Sequence, residues 1–283
     1  MIHTSKQLKD KVRNISKGNS DIAKVLIRTF MMERFLERVS LSKYRNNFIL
    51  KGGMLVASMV GVDLRATMDI DTTVNALPLN EIDAERIISE ICEIEADDGV
   101  QFRVTSVTTI MEEFEYPGIR MMLEATLDRM RQPIKLDIST DDVITPTAIE
   151  YEYKLMFEDR TISVLSYNTE TLLAEKIQTI LARGIANTRM RDFYDVYGII
   201  EVNEDKIDKA ILIEAFEATC EKRETVFSRE DIKSMLNKIS DNEAMEQMWE
   251  LFRKKNFFVG DLTWEEVLAG VIIKIEQYII VRK

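Results

Sequence analysis

The 283-residue chain contains one histidine, His3, and only two cysteines, Cys92 and Cys220. A single histidine at the very start excludes Ser-His-Asp and Cys-His nucleophilic chemistry, and with it histidine-rich metal sites. The two cysteines stand far apart in apolar, helix-like surroundings, which fits reduced core thiols better than a disulfide framework or a zinc site. Proline and glycine are also scarce, 4 and 10 residues, beside 46% hydrophobic and 31% charged residues. That composition excludes fibrous and disordered classes and is enough to bury a large core, in one large or two modest domains. No apolar run approaches the ~18 residues of a membrane span, and none follows the opening MIHTSKQLKDKVRN, so a cytoplasmic protein without a membrane partner is expected. Catalysis, if present, must run on carboxylates, lysine and arginine.

Positive charge is in deficit overall, with 38 Lys and Arg against 49 Asp and Glu and a formal net charge of −11. This excludes an indiscriminate binder of polyanions. The average hides a basic front end, because residues 1–51 hold 12 Lys and Arg against 4 Asp and Glu.

Helical periodicity covers residues 4–45, with Ser20 as a candidate N-cap for Asp21–Ser40 and an apolar stripe of Val25, Leu26, Phe30, Phe35, Leu36 and Val39. The basic residues fall mostly off that stripe. Phe48-Ile49-Leu50 ends at Lys51-Gly52-Gly53 and is followed by Met54–Val60, a pattern of strand, tight turn and helix. Asp69–Val74 alternates polar and apolar residues as a half-buried strand does. A helix is expected over Leu79–Ala96, then strands over Gln101–Thr109, Ile119–Leu127, Ile134–Ser139 and Ile162–Leu165, bounded by Pro117-Gly118, Pro133 and Glu158–Arg160. Beyond Thr169 only helical patterns occur, with candidate starts at Asn168 or Thr169 and capping-box spacings at Ser228/Asp231, Ser240/Glu243 and Thr263/Glu266. The expected fold is mixed α/β, with the α/β domain in residues 1–166 and a helical domain in 167–283.

Asp69 and Asp71, two apart in a strand, point their carboxylates to one face. Asp137 sits between apolar neighbours on another expected strand, where an unpaired charge is costly to bury. Should the two strands adjoin, three carboxylates converge and offer the hard oxygen ligands that Mg2+ or Mn2+ requires. Each element has a plainer reading. A D-x-D strand is commonly solvated or salt-bridged, a Gly-Gly turn is commonly only a turn, and Asp137 is equally satisfied by Lys135 or an arginine. The Gly52-Gly53 turn, leading into a helix, is also suited to cradle a phosphate. Lys176 lies along the apolar stripe of Leu172, Leu173, Ile177, Ile180 and Leu181, so it either snorkels to water or reaches into a cleft. Arg191, Asp192 and Asp195 read as the acidic first turn of a helix with local ion pairs.

The order of these elements resembles the polymerase-β-like nucleotidyltransferase superfamily: strand, Gly-Gly, short helix, Asp-Ile-Asp, then a later carboxylate. Within it the chain is most similar to the AbiEii/AbiGii toxin family, through Leu50-Lys51-Gly52-Gly53, Arg65-x-x-x-Asp69-Ile70-Asp71, Glu175-Lys176 and Arg191-Asp192-x-x-Asp195. The likeness covers roughly residues 48–200, and the 15 residues between Gly53 and Asp69 are slightly more than the usual spacer. It implies a polymerase-β-like core, a small mixed sheet with helices, followed by an all-helical C-terminal domain. It also implies the toxin of a bacterial toxin–antitoxin or phage-defence pair that moves a nucleotide from a nucleoside triphosphate to RNA, the 3′ end of tRNA in related members. By resemblance, Asp69, Asp71 and Asp137 would hold metal. Lys176 and Asp192 would join them in catalysis, and Lys51, Gly52, Gly53, Arg65, Lys176, Arg191 and Asp195 would contact the nucleotide. Arg189 and Arg191 could meet phosphate or RNA. An RNA acceptor would also need local positive charge, for which Lys6, Lys9, Lys11, Arg13 and Lys17 are exposed candidates; a solvated helix surface or an acidic antitoxin contact are the other readings. Transfer to a protein or small molecule, and a noncatalytic nucleotide switch, are the alternatives.

Overall fold

The computed structural model describes residues 1–61, 65–77, 80–111 and 117–280. Its helices are α1 (Ser5–Ser16), α2 (Ser20–Leu41), α3 (Gly52–Val60), α4 (Glu81–Cys92), α5 (Thr169–Arg183), α6 (Met190–Asn203), α7 (Lys209–Lys222), α8 (Arg229–Ser240), α9 (Glu243–Lys255) and α10 (Trp264–Ile275). The strands are β1 (Phe48–Lys51), β2 (Asp69–Val74), β3 (Val100–Met111), β4 (Pro117–Leu127), β5 (Met130–Thr140), β6 (Ile149–Lys154) and β7 (Thr161–Ser166). The described chain divides into two units. Met1–Ser58, Ala66–Asp142 and Ile149–Ser166 form the first; Met59–Arg65, Val143–Ala148 and Tyr167–Lys283 form the second.

In the first unit the seven strands form one sheet in the order β3-β4-β5-β2-β1-β7-β6. Pairing is mixed: β2 runs parallel to β5 and β1 parallel to β7, while β1/β2, β3/β4, β4/β5 and β6/β7 are antiparallel. The antiparallel pairs follow from tight connections, such as Asp128-Arg129 between β4 and β5; a parallel pair needs a crossover through other elements. Inward-facing Ile70, Leu123, Ile134, Leu136 and Ile138 are buried together with Leu26, Phe30, Phe35 and Leu36 of α2.

Several local expectations are corrected. The cap of α2 is Asn19, whose side chain accepts the Asp21 and Ile22 N–H groups, so Ser20 is already helical. Most basic residues of this segment are expected off the apolar stripe, yet Arg34 and Arg38 are buried. Arg38 is tolerated inside because Asp98 takes both ends of its guanidinium at 2.8 Å, and Arg34 lies 3.0 Å from Glu37 and 3.3 Å from Glu158. α4 begins after the Asn80 cap, and Leu79, the expected start, lies outside the described residues. Strand β6 is an addition to the expected set, although Ile149-Glu150-Tyr151-Glu152-Tyr153-Lys154 alternates with period two. Pro133, read as a boundary, stands within β5.

In the second unit, capping boxes form at Ser228/Asp231 and Thr263/Glu266, and Asn168 caps α5. The Ser240/Glu243 box does not form. Asn242 caps α9 instead, because α8 runs through Ser240. Trp249 and Trp264 are buried with ring centroids 5.9 Å apart, and Phe193 meets Trp264 edge to face at 5.1 Å.

Candidate active site

In the first unit, strand register builds the site. Across four neighbouring strands, Lys51 of β1 stands opposite Asp71 of β2, Asp71 opposite Asp137 of β5, and Asp137 opposite Arg120 of β4. Cross-strand partners share a face, so the row reads cation, acid, acid, cation. Asp69, two residues before Asp71, shares that face and is paired in register with Lys135. The strands expected to adjoin therefore do, and Asp69, Asp71 and Asp137 each place a carboxylate oxygen within 4.8 Å of the others. Adjacent like charges destabilise a sheet, and the cluster exists only because its surroundings compensate it.

Lys135 Nζ lies 2.5 Å from Asp69 and 3.4 Å from Asp137. Arg120 grips both oxygens of Asp137, Nε and Nη2 each at 2.8 Å, the two-pronged geometry in which guanidinium pairs are strongest. Both cations that Asp137 could have claimed are thus on it, without removing it from the carboxylate cluster. Burial works to raise the Asp137 pKa, but Arg120 and Lys135 outweigh it and hold the carboxyl below its ordinary value. Asp71 goes the other way. Burial, then the charge of Asp69, push it up to about 6 against the opposing pull of Lys51 and the Gly53 N–H.

The Gly-Gly turn has a specific part in this geometry. Gly52 has φ +64°, and a Cβ there would lie 2.2 Å from the Asp71 carboxylate and 2.7 Å from its Cβ. The Gly53 N–H, at the start of α3, donates to Asp71 at 3.3 Å. Glycine is therefore needed to let Asp71 stand against the helix N-terminus, where the peptide dipoles favour a carboxylate. Lys51 pairs with Asp142 at 2.5 Å, and Asp142 also accepts from Ser139 Oγ at 2.8 Å.

The downstream residues build a second cluster, inside the second unit. Lys176 of α5 donates to Asp195 of α6 at 2.7 Å and lies 3.5 Å from Asp192. Arg65 holds the other side of Asp195, with Nε at 2.6 Å and Nη2 at 3.2 Å. Arg189 pairs with Asp192 at 2.8 Å. Asp195 and Arg65 are fully buried, and Lys176 is nearly so. Burial alone would raise the Asp195 pKa; Arg65 and Lys176 bring it down to about 2. Of the two open readings for Lys176, snorkelling to water is not what the structure shows, because its ammonium is held inside by two carboxylates. Arg191 lies in the first turn of α6 and is partly exposed.

Arg120 is absent from the residues that the sequence singles out, and Lys135 stands among them only as a possible neutralising partner of Asp137. Their signal was faint. Lys135 is two residues from Asp137 and so shares its face, whereas Arg120 is placed by the β4/β5 register alone.

The model of the nucleotidyl transferase AbiEii toxin family, of type IV toxin–antitoxin systems, matches residues 34–270 of the chain. The chain belongs to the AbiEii family. As an AbiEii protein it is a nucleotidyltransferase of the toxin–antitoxin class. No curated protein sequence matches it. Among solved structures it is similar to JHP933 from Helicobacter pylori, at 13% identity and TM-score 0.44 over 82% of this chain and 92% of that one. An antigenic nucleotidyltransferase-like protein from Paracoccidioides brasiliensis gives 15% identity and TM-score 0.38 over 83% and 94%. The antibiotic-resistance factor ANT(2'')-Ia gives 14% and 0.33 over 82% and 100%. These likenesses are distant, and the family assignment stands on the sequence match. No described helix is long and apolar enough to cross a membrane.

Proposed function

We propose that this AbiEii protein transfers a nucleotide from a nucleoside triphosphate to the 3′ end of an RNA, with tRNA as the acceptor class, and that the transfer depends on Mg2+ or Mn2+ held by Asp69, Asp71 and Asp137. The observation that carries the reading is the convergence of three carboxylates from β2 and β5 behind the Gly52-Gly53 turn. Their oxygens suit a hard divalent cation, which when bound would offset charge on the phosphates and lower the barrier to hydroxyl attack. The acceptor hydroxyl oxygen forms its bond to the α-phosphorus as the bond to pyrophosphate breaks, and the hydroxyl proton ends in solvent.

The residues of the chain have separate parts in this reading. Gly53 N–H and the Gly52 turn hold Asp71 in place. Asp137, kept ionised by Arg120 and Lys135, suits holding a cation better than proton uptake. Lys176 is proposed to meet the triphosphate as a point charge, with Asp195 and Arg65 as positioning residues for its ammonium and Asp192 as its further partner. Lys51 and Arg191 are proposed as additional phosphate contacts. An antitoxin partner accords with the family, and growth inhibition is the expected cellular consequence.

The test is to incubate the purified protein with each labelled triphosphate, Mg2+ and total cellular RNA. Label is expected in small RNA with one triphosphate preferred. Asp71→Ala should reduce transfer at least about 10³-fold and abolish growth inhibition, with an unchanged circular dichroism spectrum. Label appearing in protein or a small molecule would replace the RNA acceptor, and full toxicity of Asp71→Ala would defeat the mechanism.

A further inference from the structure

Two cations of different character pair directly with the three-carboxylate cluster. Arg120 holds Asp137 by two parallel hydrogen bonds at 2.8 Å, a planar fork matched to both carboxylate oxygens. Lys135 is a single point charge on a flexible stem, 30% exposed, lying at 2.5 Å from Asp69 and 3.4 Å from Asp137. Its ammonium thus bridges the β2 and β5 sides of the cluster and claims an oxygen of Asp69 that a divalent cation would also need. A monodentate, partly exposed ammonium is the exchangeable member of the pair, and its stem gives it a path out to solvent.

We propose that Lys135 is a resident counter-ion of the carboxylate cluster that competes with the divalent cation for Asp69 and leaves Asp69 when that cation binds. The inference rests on the reading of Asp69, Asp71 and Asp137 as a cation site. Lys135 keeps three neighbouring carboxylates tolerable in one small space, and it sets the threshold concentration at which the cation takes over. Once released, the ammonium stays on β5 beside the cluster, where a bound triphosphate brings the compensating negative charge.

The test uses the full-length protein and Mn2+ alone, with free Mn2+ read by its electron paramagnetic resonance signal. Lys135→Met should bind Mn2+ about tenfold more tightly than the wild type, and Lys135→Arg, which keeps the charge, no more tightly. Lys154→Met, neutralising an exposed lysine of edge strand β6, controls for net charge and should match the wild type. A second readout guards against a folding artefact: Mn2+ should raise the melting temperature of Lys135→Met more than that of the wild type, because its carboxylates have lost their counter-ion. Lys135→Met binding no more tightly than the wild type, or Lys154→Met tightening equally, overturns the proposal. Equal Mn2+ binding by the wild type and Asp71→Asn would overturn the cation-site reading itself, and the proposal with it.

Discussion

At Gly52 the backbone conformation and the neighbouring side chain make independent demands. The positive φ alone strains any L-residue, and the Asp71 carboxylate fills the space a Cβ would take. Gly61 separates the two effects, since it has φ +102° with nothing within 4 Å of the place a Cβ would occupy. Gly52→Ala should therefore cost about 2 kcal/mol or more of stability and Gly61→Ala about 1 kcal/mol, read from denaturant midpoints. Equal losses would mean that Gly52 serves only its turn. The sequence showed a Gly-Gly turn before a helix and suggested a phosphate cradle; the first task the structure gives it is to seat Asp71. Asp71 itself was legible from its two-residue spacing to Asp69. Arg120 was not, because no local pattern links it to Asp137, 17 positions away.

At the scale of elements, α2 is the clearest case of charge brought inside. Glu33 is buried, accepts the Met156 N–H at 3.1 Å on both oxygens and the Tyr153 hydroxyl at 3.4 Å. Desolvation raises its pKa to about 8, against the pull of Met156, Arg34 and Tyr153. A carboxyl whose folded pKa lies above its unfolded value holds its proton more tightly when folded, so its contribution to stability falls as pH rises from about 4.5 to about 8. Glu33→Gln mimics the protonated form, and the wild type should lose stability relative to this variant between pH 5 and pH 8.5 in thermal melts. A pH-independent difference would show that Glu33 titrates normally. The start of α9 gives a second element-scale outcome. Asn242→Ala should cost about 1 kcal/mol through loss of its cap to the Ala244 N–H, while Ser240→Ala, at the end of α8, should cost little. Both residues offer a capping side chain; only the run of α8 through Ser240 decides between them.

For the whole molecule, the net charge of −11 conceals a divided distribution. Part of the basic front end is used inside, on Arg34, Arg38 and Lys51, all of which meet carboxylates. Most of what remains at the surface lies on α1 and its cap: the helix buries Leu8, Val12 and Ser16, while Lys6, Lys9, Lys11, Arg13 and the C-cap Lys17 are exposed, as are Lys24, Lys43 and Arg45 beyond it. The Ser5 N–H donates to Asp128 at 2.7 Å, fixing the start of α1 beside the Asp128-Arg129 turn between β4 and β5. If this face receives RNA phosphates, charge reversal at Lys6, Lys9 and Lys11 should weaken RNA binding and flatten the slope of log affinity against log salt by roughly three. Unchanged affinity and slope would assign α1 to solvent.

The amino-acid sequence by itself determined the local chemistry: which segments alternate with period two or 3.6, that Asp69 and Asp71 share a face, that Ser228 and Thr263 begin helices, and that the order of motifs is that of an AbiEii nucleotidyltransferase. All but the last depend on residues within a few positions of one another, where backbone geometry leaves few choices. Tertiary structure alone decided the register that sets Asp71 beside Asp137 and Arg120 beside Asp137 in turn, the place of β6 at the sheet edge, and the burial of Arg65 against Asp195. Those outcomes join residues many positions apart. Which charge finds which partner there depends on the packing of the whole sheet or helix bundle, because a buried charge is stable only where an opposite charge or a hydrogen-bond donor has been brought to it.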